Sequence, residues 1–145
     1  MTLPEYVTAQ EVARVCAEVG LEDWSKKGEA AVSKEEAAKI LSLVNTEGMA
    51  ISPEDFRVGL EVELEHGTRF KDANVTNNHP LLTGRIVLAH LKETMDYYRL
   101  LDVAELEGDL LKAVLAGNLA KITAKYGKLV AAKKALDEAV LGQLK

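Results

Sequence analysis

The sequence predicts an all-α protein, an irregular bundle of five to six helices that ends in a long C-terminal helix. Aromatic residues make up only 5% of the 145 residues, whereas the helix formers Ala, Leu, Glu and Lys are abundant. Capping signals recur ahead of apolar residues with helical spacing. With 48% hydrophobic and 28% charged residues, the composition is that of a folded protein, and we expect a single domain over residues 1–145.

Capping residues predict where the first three helices begin. In each case a Ser or Thr, whose hydroxyl accepts a backbone hydrogen bond in the first helical turn, stands ahead of acidic residues. The capping residues are Thr8, Ser33 and Ser52. The predicted helices extend over residues 8–19, 33–45 and 52–66, with a connector at 21–32 and a polar loop at 68–80.

The third segment has a second interpretation. Its apolar residues from Val58 to Leu64 alternate with polar residues, a pattern that is also typical of a strand. The capping residue Ser52, the glycine at position 67 and the many glutamates favour a helix.

Three more helices are predicted over residues 81–101, 103–115 and 118–144. The last carries a stripe with alternating spacings of three and four, typical of a heptad pattern. Its members are Leu119, Ile122, Tyr126, Leu129, Lys133, Leu136 and Val140. We expect a homo-oligomer, most simply a twofold dimer, with Ile122, Leu129 and Leu136 in the contact. The alternative is that this helix folds back on residues 103–115 of its own chain.

Composition excludes several classes of function. A net charge of −5 argues against nucleic-acid binding, which needs an excess of Lys and Arg. No apolar segment approaches the roughly 20 residues that span a membrane. Cys16 is the only cysteine, so disulfides and thiolate clusters are excluded. The first residues lack a signal peptide, and we therefore expect a cytoplasmic protein.

Two predicted helices each carry a Glu and a His on an otherwise apolar arc. At about 100° per residue, Glu63 and His66 fall among the apolar side chains of the third helix. His90 and Glu93 do the same on the fourth. If these helices pack antiparallel, Glu lies beside Glu and His beside His.

The opposite faces of the same two helices are polar and are expected to contact solvent. The polar residues of the third helix are Arg57, Glu61 and Glu65; those of the fourth are Arg85, Lys92, Asp96 and Arg99. In the polar loop between them, we expect His79 to be solvated.

Burying two carboxylates and two imidazoles is costly unless something compensates their desolvation. A divalent metal ion (Fe, Mn or Zn) does so, because the carboxylates balance its charge and neutral imidazoles supply nitrogen ligands. Tyr97 and Tyr98 would then hydrogen-bond the ligands. The alternative is a closed metal-free network in which each His pairs with a Glu.

Three segments of the chain form a recognisable set: FRVGLEVELEHG at 56–67, LLTG at 81–84 and HLKETMDYYRL at 90–100. Together they resemble a family of small bacterial and phage proteins of unknown function. The family core has a proline between the second Glu and the Tyr pair, where this chain has Thr94-Met95. The resemblance covers residues 52–101 and implies no settled activity.

A weaker analogy links the Glu-x-x-His spacing to ferritin-like di-iron proteins. The reversed order at His90 and Glu93 and the lack of two further bridging glutamates count against a full di-iron site. Two functions therefore remain open. One is a metal-binding protein that prefers iron or manganese, and the other is a non-enzymatic interaction or assembly module. No P-loop, GxSxG or HExxH motif assigns a reaction.

Overall fold

The computed structural model describes residues 4–145 and confirms the all-α prediction. Regular structure within this range consists of six α-helices and two short 3-10 turns, without a strand. The helices are α1 (Ala9–Val19), α2 (Lys34–Val44), α3 (Pro53–Arg69), α4 (Pro80–Glu93), α5 (Tyr97–Leu115) and α6 (Leu119–Gln143). The strand interpretation of residues 58–64 is wrong, because they lie within α3.

The predicted capping residues of α1, α2 and α3 all act as caps. Each side-chain hydroxyl accepts the backbone N–H three residues further on, which satisfies a donor that the helix itself leaves unpaired. These bonds run from Glu11 to Thr8, from Glu36 to Ser33 and from Asp55 to Ser52. At Ser33 the reciprocal bond to the Glu36 side chain completes the capping box.

The helices form two compact units, one up to Lys92 and the other Glu93–Lys145. The first unit contains α1 to α3 and nearly all of α4. Its fully buried side chains include Val12, Trp24, Ile40, Phe56, Leu60, Leu64 and Val87. A single folding domain over residues 1–145 stays a prediction.

The connector between α1 and α2 is anchored by Trp24, which is fully buried. Its indole nitrogen donates to Glu36 Oε1 at 2.8 Å, and the Lys27 ammonium lies 5.4 Å from the ring centroid. Burial raises the pKa of Glu36, but the hydrogen bonds from Trp24 and Ser33 and the Lys27 charge outweigh it and leave that pKa lowered.

Gly84 allows α4 to approach α2 and α3 closely. A Cβ atom at this position would lie 2.7 Å from Ile40 Cγ2 and 3.4 Å from Phe56 Cζ. Only glycine fits without moving Ile40, which is fully buried. This close packing places Gly84 of α4 against Ile40 of α2 and Phe56 of α3.

The predicted helix over residues 81–101 is wrong, because α4 ends at Glu93 and α5 begins at Tyr97. Asp96 lies in the break and is buried, with one carboxylate oxygen 2.5 Å from the side-chain amide of Gln143 in α6. An unpaired buried carboxylate is costly, so this distant amide stabilises the break. A helical wheel drawn through an uninterrupted helix places Asp96 on a solvent face, and this prediction is wrong because Asp96 is buried.

In the second unit, α5 and α6 form an antiparallel hairpin, which confirms that the last helix folds back on its own chain. Gly117 turns the chain with a φ of 63°. Side-chain contacts join the two helices along their length. They are Lys125 to Asp109 at 2.6 Å, Lys133 to Glu107 at 3.1 Å and Gln143 to Asp96 at 2.5 Å.

The heptad stripe of α6 divides between the hairpin and the surface. Leu129 is buried and Ile122 and Leu136 are half-buried, whereas Leu119, Tyr126 and Val140 are exposed. Leu129, which is predicted to contact a second chain, is therefore packed within its own chain. None of the helices among residues 4–145 combines the length and the apolar character that a membrane-spanning segment requires.

Candidate functional site

Glu63 on α3 and His90 on α4 meet side by side. Glu63 Oε1 lies 3.5 Å from His90 Nε2, and the two side chains are 14% and 28% exposed. Both groups therefore point away from bulk solvent, as the helical wheel predicts.

The pairing is Glu with His, whereas antiparallel packing predicts Glu with Glu. Phe56 approaches Gly84, and seven residues further along α3, Glu63 reaches His90. Glu63 and His66 of α3 also line one cavity with Thr83 and Ile86 of α4, so the second half of α3 faces the first turns of α4. Since Glu93 belongs to the second unit, its juxtaposition with Glu63 stays a prediction.

The other two predicted metal ligands are exposed, so their predicted burial is wrong. His66 lies near the end of α3, and Glu93 lies at the end of α4 and belongs to the second unit. Among residues 4–145, no three His, Cys, Asp or Glu side chains are grouped so that they could hold a metal ion. Metal coordination therefore stays a prediction.

The two tyrosines predicted to support those ligands also belong to the second unit. Tyr98 is buried and Tyr97 is half-buried. Their rings meet edge to face, with centroids 5.2 Å apart and an interplanar angle of 75°. Their role beside a metal stays a prediction too.

A cavity of about 130 Å³ lies next to Glu63, between the end of α3, the following loop and the start of α4. Polar and apolar groups share its wall. The lining residues are Glu63, His66, Gly67, Ala73, Asn74, Val75, Thr76, Asn78, Thr83 and Ile86. The sequence predicts Glu63 and His66 as site residues and a polar loop over residues 68–80, here called the asparagine loop after Asn74, Asn77 and Asn78. It does not predict that this loop forms a wall of the site.

The loop over this cavity has an unusual backbone. Asn77 and Asn78 have φ angles of 48° and 59°, a left-handed region that asparagine tolerates better than most residues. The Asn77 amide donates to Glu5 Oε1 and to the Val7 carbonyl oxygen, both at 2.6 Å. The Asn78 N–H donates to Asn74 Oδ1 at 3.2 Å. Side-chain bonds thus hold this loop in its bent conformation.

Gly67 brings α3 against the same loop. A Cβ atom there would lie 2.0 Å from Asn78 Oδ1 and 3.0 Å from Asn74 Cγ. The helix continues past this glycine to Arg69, so its predicted role as a helix terminator is wrong. Gly67 instead makes room for the two asparagine side chains that line the cavity.

His79 is buried at 8% exposure, so the prediction of a solvated residue is wrong. Its Nδ1 accepts the N–H groups of Leu81 at 3.2 Å and Leu82 at 3.4 Å, and its carbonyl oxygen accepts that of Thr83. The imidazole therefore caps α4. Burial lowers its pKa, which the Glu11 charge only partly opposes. The following Pro80, favoured in a first helical turn, is the sequence signal for this cap.

Glu61 also differs from expectation. It forms the predicted ion pair with Arg57, at 2.5 Å, but the same carboxylate oxygen accepts the backbone N–H of Val32 at 3.1 Å. The side chain is 29% exposed. Glu61 thus ties α3 to the segment before α2 and is not merely a solvated residue.

Comparison with known proteins assigns the chain to a family. It matches DUF5661, described as a protein of unknown function, over residues 12–107. The match spans well over half of the chain, so the protein belongs to this family, and the resemblance drawn from residues 52–101 is confirmed over a longer range. No curated protein and no solved structure matches. A bacterial or phage origin and the ferritin analogy stay predictions.

Proposed function

We propose that this member of the DUF5661 family is a non-enzymatic assembly module that forms a twofold dimer through its α5–α6 hairpin. The supporting observation is a set of large apolar side chains that the hairpin leaves 42% to 79% exposed. We call their surface the open face. Its members are Leu100, Leu111, Val114 and Leu115 of α5, and Leu119, Tyr126, Val130, Val140 and Leu141 of α6.

Helical geometry places these side chains on one side of the hairpin. At about 100° per residue, the exposed apolar residues of each helix fall within an arc of roughly 100°. Glu107 lies within the arc of α5 and Lys133 within that of α6, and the two form an ion pair at 3.1 Å. Since this pair joins the arcs, both face the same way. Large exposed apolar surfaces are typical of association sites.

Charge favours a second copy of the same chain as the occupant. Helix α5 has four acidic and two basic residues, whereas α6 has five lysines and two acidic residues. In a twofold dimer each α5 can lie against the partner's α6, so that opposite charges flank a shared apolar centre. Two such hairpins make a four-helix arrangement that covers both open faces.

The dimer is tested by light scattering after size exclusion over a range of concentrations. Wild type should have twice the mass of one chain, and Val130→Glu should be a folded monomer, because it buries a charge in the contact. The matched control is Ala131→Glu, which adds the same charge to an exposed position about 100° further round α6. A monomeric wild type, or equal dissociation by both variants, would refute the dimer.

A divalent metal ion is a second candidate, supported by the 3.5 Å contact between Glu63 and His90. A mixed carboxylate and imidazole set suits iron, manganese or zinc. Elemental analysis of untagged protein purified without chelator should then find about one equivalent of metal. Replacement of His90 or His66 by Ala should remove it. Metal-free wild type from metal-replete cells would leave the pair as a metal-free contact.

A cytoplasmic location is part of the proposal. The one cysteine, Cys16, is a buried free thiol whose pKa is raised by burial, so the fold requires no oxidising compartment. Fractionation of cells that express the native gene product tests it, and recovery of the protein outside the cytoplasm would contradict it.

A further inference from the structure

The cavity beside Glu63 has room for more than solvent. A single buried water needs roughly 10–15 Å³, whereas this cavity measures about 130 Å³. It is too small for a drug-sized ligand or a nucleotide, which occupy pockets of roughly 300 Å³ or more. A compound of a few heavy atoms fits this volume.

The charges in the cavity wall determine whether the bound compound should be a cation or an anion. Among the described residues that line it, Glu63 is the one carboxylate, His66 is the one imidazole, and none is Lys or Arg. The Glu63 side chain is only 14% exposed, so solvent screens it poorly. A positively charged group in the cavity would be stabilised, whereas an anion would be repelled.

Oxygen atoms around the cavity match the donors of an ammonium group, which has three N–H bonds and no acceptor. Asn78 and Thr76, which line the cavity, carry an amide oxygen and a hydroxyl oxygen. Thr83 donates its hydroxyl hydrogen to the His79 carbonyl oxygen at 2.9 Å, so its own oxygen is left as an acceptor. The wall is thus rich in acceptors near a carboxylate.

Apolar side chains complete the cavity and argue for an organic cation. Ala73, Val75 and Ile86 line it alongside the polar groups. A metal ion gains nothing from such walls, whereas a short alkyl chain packs against them. We propose that the cavity binds a small primary ammonium compound, with the ammonium group on Glu63 and the alkyl part against Ile86 and Val75.

The test uses the full chain and NMR spectra of its backbone and side-chain amides. Propylammonium should shift the signals of Asn74, Thr76 and Asn78 saturably, with a Kd near millimolar, about what so few heavy atoms allow. Propanol, its neutral counterpart, and propionate, its anionic one, should bind about tenfold more weakly or not at all. Equal binding of propanol would overturn the proposal.

Two variants separate the charge from the shape of the site. Glu63→Gln should weaken propylammonium binding about tenfold, because it removes a charge-assisted contact. The matched control Glu65→Gln changes an exposed carboxylate two residues away and should bind like wild type. Ile86→Phe should also abolish binding by filling the cavity, and it decides the matter if Glu63→Gln does not fold. Unaltered binding in a folded Glu63→Gln protein overturns the proposal.

Binding of propylammonium to the cavity does not depend on the proposed dimer, and it can be distinguished from metal binding. Val130→Glu, on the second unit, should bind propylammonium as wild type does, whether or not it dimerises. Manganese or zinc chloride provides the remaining comparison. If these ions perturb the asparagine loop and propylammonium does not, the cavity is a metal site and the ammonium proposal fails.

Discussion

Replacement of His79 tests the capping of α4, the helix that carries His90. The imidazole Nδ1 accepts two backbone N–H groups, so His79→Ala leaves both without a side-chain acceptor. Loss of a helix cap costs about 1 kcal/mol, within a range of about 0.5–2 kcal/mol. The burial of the ring adds a packing loss, and we expect about 1–3 kcal/mol in all at pH 8. His79→Asn keeps an acceptor and should lose less than His79→Ala.

The same cap gives the stability a defined pH dependence. Burial lowers the pKa of His79 below its ordinary value of 6.5. The unfolded chain therefore binds the proton more readily than the folded one. As a result, the free energy of unfolding decreases as the pH drops from about 6.5 toward the folded pKa. The contribution is complete above about pH 6.5 and is lost as the pH drops through the folded pKa. Protonation of Nδ1 also removes the acceptor that caps the helix.

Urea unfolding followed by circular dichroism from pH 8 to pH 5 measures both effects. Wild type minus His79→Asn isolates the titration of this residue, because His66 and His90 are present in both proteins. Among the neighbouring charges, Glu11 raises the pKa of His79 and Arg14 lowers it, while these two pair with each other. Parallel pH profiles for wild type and His79→Asn would refute a neutral capping imidazole.

Two further substitutions test packing and a long-range hydrogen bond. Gly84→Ala should destabilise the protein by about 1–3 kcal/mol because its Cβ meets Ile40. Gly127→Ala, whose Cβ meets no atom of residues 4–145 within 4 Å, should stabilise α6 by about 1 kcal/mol. Urea midpoints check both changes, and an unaltered midpoint for Gly84→Ala would contradict the close approach. Glu61→Ala should lower the free energy of unfolding by about 1–2 kcal/mol because it leaves the Val32 N–H without its acceptor. The control Glu65→Ala should change it by less than about 0.5 kcal/mol. Equal effects of the two variants in urea unfolding would mean that the Val32 hydrogen bond contributes nothing to stability.

Local signals account for the parts of the fold that the sequence predicts well. The caps at Thr8, Ser33 and Ser52 depend on hydrogen bonds across three residues, so the pattern in the chain contains both partners. Features whose partners are near in sequence are therefore found from the sequence. Helical spacing directs Glu63 and His90 inward as predicted, but it also directs His66 and Glu93 inward, and both of these are exposed.

Features with distant partners are the ones that prediction misses. The break before α5 includes Asp96, whose carboxylate is bonded to Gln143, 47 residues later. Glu61 is bonded to Val32, 29 residues earlier. No window of sequence contains both members of such a pair. The break also explains why a single helical wheel through residues 85–101 misplaces the residues after Glu93, since the angular count restarts at α5.

Two adjacent residues of α6, at the proposed dimer contact, also show how far a sequence pattern can predict contacts. Leu129 is 6% exposed and its neighbour Val130 is 53% exposed. A heptad pattern identifies Leu129 as a contact residue but cannot say whether α5 or a second chain provides the contact, because either buries the same stripe. Here α5 lies against α6, so a charge at Leu129 would disrupt the fold of the hairpin, and loss of a dimer in that variant would prove nothing. A charge at Val130 changes only the open face, and for this reason dissociation of Val130→Glu is evidence about association.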